Sequence, residues 1–224
     1  MTKKLFIFVI LFCFGMVLTT NAQVMTDKQK ASYALGAGNG LQWGNMGLDI
    51  DYDAYLQGMK DGFKNENQFT DEEMQAAFGI LDSMVKAHQD QILNDEKKAG
   101  SEFLARNKKE PGVIETPSGL QYKVIVEGTG ASPKATDKVK VHYTGKTLDG
   151  NVFDSSVERG EPITFPLNGV ISGWTEGLQL MKEGGKSILY IPYNLAYGER
   201  GNQGIKPGAC LIFEVELIEV NPAN

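Results

Sequence analysis

Cysteine, histidine and positive charge are all scarce in this 224-residue sequence, and each shortage excludes something. The cysteines are Cys13 and Cys210, and Cys13 lies in an N-terminal apolar run. Once that run is removed, Cys210 stands alone and no internal disulfide is expected. The two histidines, His88 and His142, have no second histidine at ligand spacing, so no metal site and no cofactor are expected. No adjacent acid–base pair marks a hydrolytic centre. Lys and Arg number 22 against 28 Asp and Glu, a formal net charge of −6, which argues against a nucleic-acid partner or an anionic membrane surface. Proline is absent before Pro111, and no apolar run after residue 22 is long enough to span a bilayer.

What is present begins with an export signal. Lys3 and Lys4 precede the apolar run Leu5 to Leu18, and Thr20-Asn21-Ala22 supplies the small residues a signal peptidase reads. Residues 1–22 are therefore expected to be a signal peptide, cleaved near Ala22, with the protein in the periplasm or cell envelope. Phe12 before Cys13 is too bulky for a lipoprotein site. Without Lys3 and Lys4 the balance becomes 20 basic against 28 acidic residues, a net charge of −8.

Residues 23–110 read as helical. Thr26 with Gln29 fits a capping box opening a helix to about Trp43. Gly44 to Asp49 breaks it, and Asp51 caps a second helix carrying Tyr55, Leu56, Met59 and Phe63. Thr70 and Glu73 form a second capping box. Behind it Met74, Phe78, Leu81, Val85, His88, Ile92, Ala99 and Phe103 make a narrow apolar seam. Unbroken to Asn107, this helix is roughly 55 Å long. A seam on so long a helix points to a partner, most simply a second copy of the chain. Gly36, Gly38 and Gly40 lie inside a helical pattern with no preceding strand, so they suit close helix packing rather than phosphate binding.

Pro111 and Gly112 end the helix, and 111–119 is read as a linker. From residue 120 the period changes to two. Leu120, Tyr122, Val124 and Val126 mark one strand. Val139, Val141 and Tyr143 mark a second, with His142 on its solvent face. Leu211, Phe213, Val215 and Leu217 mark a last strand, with Cys210 pointing away. Trp174, Leu178 and Met181 share a short helix. The expected fold is α+β, an antiparallel sheet wrapped on one short helix over 120–224, preceded by an all-α dimerisation segment. Aromatics crowd beside glycines between Val139 and Gly198, where pockets open.

Val141-His142-Tyr143-Thr144-Gly145, Phe153-Asp154-Ser155-Ser156, Val170-Ile171-Ser172-Gly173-Trp174 and Ala196-Tyr197-Gly198 occur in this order, followed by Leu211-Ile212-Phe213-Glu214-Val215. Together they resemble the FKBP-type peptidyl-prolyl cis–trans isomerases. The helical N-terminal part more loosely resembles their exported, dimeric Mip and FkpA branch, through Ser32-Tyr33-Ala34-Leu35-Gly36 and Gly58-Met59-Lys60-Asp61. The resemblance implies a prolyl isomerase acting on unfolded or partly folded proline-containing proteins, with a macrolide as the small-molecule ligand. It implies catalytic roles for Tyr143, Asp154 and Tyr197. Trp174 would floor the pocket, and Phe153, Phe165, Val170, Ile171 and Phe213 would contact substrate, with Arg159 at the rim and Ile205 on the loop. Two departures stand out: Ile163 replaces an aromatic common in relatives, and Lys206 replaces a proline, which leaves Gly201 to Gly208 more mobile on this reading. A holding chaperone is the alternative function.

Overall fold

The computed structural model describes residues 25–223, and the expected signal peptide lies outside them. The chain divides after Trp43 into two compact units. The first consists of most of α1 (Asp27–Asn45), opened by the reciprocal Thr26 and Gln29 bonds and without a buried residue of its own. No described helix is long and apolar enough to cross a membrane.

The second unit begins with α2 (Tyr52–Lys64). Asp51 caps it by accepting from the N–H groups of Asp53 and Ala54, and Asn65 ends it in the left-handed conformation. Next comes α3 (Asp71–Asn107), 37 residues opened by the Thr70–Glu73 capping box. Its final turns are built into the sheet that follows. At Gly100 an added Cβ would sit 3.0 Å from the Cβ of Cys210, so glycine lets the helix lie directly on the chain that leads into the last strand. Phe103 packs on Tyr190 with ring centres 5.8 Å apart. Gln121, fully buried, donates to Leu104 O and to Glu115 Oε2 and accepts from Asn107 Nδ2. A buried amide needs those partners, and here they stitch helix to sheet.

The remaining elements are β1 (Val113–Glu115), β2 (Gln121–Val126), β3 (Lys138–Thr147), β4 (Val152–Ser155), α4 (Ser156–Arg159), β5 (Ile163–Pro166), α5 (Ser172–Gln179), β6 (Lys186–Ile191) and β7 (Leu211–Val220). The strands form one antiparallel sheet in the order β1-β2-β6-β7-β3-β4, with β5 paired to β3. The segment 111–119, read as a linker, thus contributes a strand, Val113 pairing with Lys123. Alternation puts Val139, Val141 and Tyr143 of β3 and Leu211, Phe213, Val215 and Leu217 of β7 into the core, where they meet Trp174 and Leu178 of α5. Gly173 and Gly177 let α5 approach β6, since a Cβ there would lie 2.4 Å from Ile191 and 2.8 Å from Leu189.

Two outward-facing residues depart from expectation. Cys210 faces away from the main core yet is buried beneath α3. His142 is half-buried and hydrogen-bonded to Ser156 at 3.1 Å rather than free in solvent. On β2 the apolar Val124 and Val126 are exposed, while the polar Gln121 is fully buried. Alternation identifies two faces but not which is covered.

Candidate functional site

A cavity of about 510 Å³ opens between the sheet and α5. Its floor is Trp174, buried by the start of α5, where Thr175 Oγ1 donates to Leu167 O at 2.7 Å. Tyr143 meets the indole edge-on at 5.0 Å and Phe213 does so at 5.1 Å, while Phe165 lies at 5.4 Å. Phe153 stands edge-on to Phe213 at 5.5 Å. Such tilted pairs hold the rings in fixed orientations. Gly145 makes room for this arrangement, because a Cβ there would lie 2.7 Å from both Phe153 and Phe213. Val170, Ile171 and Ile163 complete the apolar lining. The Trp174 Nε1–H is buried with no partner among the described residues.

Polar groups converge on one rim. Tyr143 donates its hydroxyl to Asp154, Arg159 donates to the same carboxylate, and Arg159 Nη2 donates to the Tyr143 oxygen at 3.1 Å. Local structure creates this triangle. Ser155 caps α4 by accepting from Glu158 N, and that single turn folds Arg159 back over Asp154. Burial pushes the Tyr143 hydroxyl up, and its bond to Asp154 pushes the same way. Burial would also raise Asp154, but hydrogen bonds from Tyr143 and Arg159, with the guanidinium charge, outweigh it and hold the carboxyl below its ordinary 3.8. The rim therefore carries a carboxylate, paired and oriented, at neutral pH.

Tyr197 also lines the cavity, on a loop that follows the 3-10 turn Tyr193–Leu195. Its hydroxyl has no hydrogen-bond partner among the described residues, so it is available to a ligand. Of the residues singled out from sequence, Tyr143, Phe153, Asp154, Phe165, Val170, Ile171, Trp174, Tyr197 and Phe213 all line this cavity. Arg159 sits beside it, holding Asp154. Ile205 does not line it: the side chain is 6% exposed and belongs to the hydrophobic core. Gly169 lines it and was not anticipated; nothing but its place before Val170 marks it. The loop carrying Lys206 is tied at two points. Asn202 and Ile205 bridge, and Lys206 pairs with Glu96 of α3 at 2.8 Å.

Comparisons with known proteins agree with this arrangement. Residues 130–218 match the family described as FKBP-type peptidyl-prolyl cis-trans isomerase, and residues 28–124 match the domain amino terminal to it. The chain is 46% identical over 210 residues to the isomerase FkpA of Aeromonas hydrophila, covering 89% of this chain and 78% of that one. It is 42% identical to the outer membrane protein MIP of Legionella longbeachae, covering 93% and 92%. The crystal structure of FkpA from Escherichia coli superimposes with a TM-score of 0.72 at 40% identity, covering 89% of this chain and 99% of that one.

Proposed function

The chain belongs to the FKBP-type peptidyl-prolyl cis–trans isomerases, and from that premise we propose how its cavity turns a prolyl bond. Rotation must break amide resonance, a barrier of roughly 18–20 kcal/mol, and makes no covalent bond. The planar amide is more charge-separated than the twisted one. An apolar cavity of about 510 Å³ therefore disfavours the planar state relative to the twisted state. Each tenfold acceleration needs about 1.4 kcal/mol of that difference. The proline ring rests on Trp174, between Tyr143, Phe153, Phe165 and Phe213, with Val170 and Ile171 beside it. Tyr197 donates to a substrate carbonyl. Asp154, held by Arg159, fixes the Tyr143 ring and presents negative charge at the rim.

The observation that carries this reading is the apolar cup with one unpartnered hydroxyl, Tyr197, and one paired carboxylate, Asp154. The test is isomerisation of a prolyl peptide by Tyr197→Phe. Loss of one hydrogen bond to a polar substrate group corresponds to about a tenfold fall in kcat/KM. Turnover equal to wild type would show that Tyr197 has no part in the reaction.

The substrates are proline-containing segments of unfolded or partly folded proteins. The protein acts in the cell envelope after loss of residues 1–22, and it works as a homodimer. Support for the dimer comes from apolar side chains left open on the helices, among them Leu35 at 73% and Phe63 at 85% exposure. Gly36, Gly38 and Gly40 have no neighbour within 4 Å of an added Cβ, so α1 keeps a flat surface that a second chain can approach.

A further inference from the structure

Between α3 and the catalytic loop lies a contact that the pocket chemistry does not use. Lys97, on α3, places its ammonium 2.5 Å from Glu199 Oε1 and 4.9 Å from the ring centre of Tyr193. Those two residues bracket Tyr197. The intervening turn is closed by Gly198 N–H donating to Tyr193 O at 2.8 Å. It is then tied forward by Gly208 N–H donating to Gly198 O at 3.0 Å. One cation thus touches the start of the Tyr197 turn through its ring and the end through its carboxylate. Lys97 is itself held, being 29% exposed at the side chain on the last, sheet-anchored part of α3. Its bond to Glu199, the largest influence, raises the ammonium above its ordinary range.

On its other side the turn is held by the core, against which Leu195, Ala196 and Tyr197 pack. A cavity of about 110 Å³, bordered by Lys97, Tyr193, Gly208 and Cys210, lies beneath it. On the α3 side, the ion pair and the cation–ring contact reach Tyr193 and Glu199 directly.

We propose that Lys97 is a positioning residue for the isomerase reaction, setting the place of the Tyr197 hydroxyl by gripping Tyr193 and Glu199 from α3. This rests on Tyr197 as a substrate contact. Because Glu199 is 61% exposed, the effect is modest. Lys97→Met keeps the stem that borders the cavity and removes only the charge.

In the full chain, kcat/KM for a neutral prolyl peptide is expected to fall about fivefold in Lys97→Met, with the same fall in Glu199→Gln, which leaves α3 untouched. In a Tyr197→Phe background, either change lowers kcat/KM by less than about twofold, because there is no hydroxyl left to position. An equal fall in both backgrounds would mean general loosening and overturn the inference, as would wild-type turnover in both single variants. Tyr197→Phe impaired beside an intact Lys97→Met overturns this inference alone. Tyr197→Phe at wild-type turnover overturns the site reading and this inference with it.

Discussion

Asp154 is a charge at the mouth of an apolar cavity, and its partners decide when it is charged. Tyr143 and Arg159 bind the carboxylate form, so its folded pKa lies below the ordinary 3.8 despite burial. A depressed carboxylate contributes stability above its unfolded pKa and loses it as pH falls through the folded value. Both protonation and loss of the rim triangle therefore occur only in strong acid. Accordingly kcat/KM is expected to be level from neutral pH down to about 4 and to decline below that. A pH profile with a midpoint above about 5 contradicts the assignment of Asp154 as the controlling group. At this scale the sequence was informative about the cup, because Phe153, Trp174, Tyr197 and Phe213 stand in recognisable local strings. It was silent about Lys97, whose partner Glu199 is 102 positions away. It also misled at Ile205, a loop residue by neighbourhood that packs inward as core.

Among the elements, α3 shows best how far periodicity reaches. Its start, its seam and its end at Asn107 follow from the Thr70 cap, the apolar spacing and Pro111. What the seam does not disclose is that the last turns are sheet-bound, since Gly100, Leu104 and Asn107 are not an apolar stripe. Their partners, Cys210 just before β7 and Gln121 at the start of β2, lie far off along the chain. Burial beneath α3 pushes the Cys210 thiol up to about 12, so it is expected to react very slowly with thiol reagents at neutral pH. Gly100→Leu drives a side chain into Cys210. It should lower stability to denaturant by about 1–3 kcal/mol and speed thiol modification of the native protein. Unchanged reactivity in that variant would mean that α3 does not cover Cys210 in solution.

On the scale of the whole molecule, α1 and α2 bury almost nothing, whereas the sheet carries a dense core. Asp61 alone is buried in α2, and it is held by Gln57 and Gln68 at 2.7 Å each. The exposed apolar residues on α1 to α3 need cover. Sedimentation of the chain without residues 1–22 is expected to give a dimer at micromolar concentration. A monomer there would leave those faces to client proteins and favour the holding-chaperone alternative. The passage from helices to strands was legible from the change of period near residue 120, whereas the role of 113–115 was not, because three residues are too few to show alternation. The apolar cup has one more consequence. It neither adds to nor removes anything from the chain it grips, and it lowers a single summit that both isomers must cross. Forward and backward crossings quicken by the same factor, so the ratio of cis to trans at rest stays a property of the client sequence. What the protein changes is waiting time, and only a later event such as folding decides which isomer is kept.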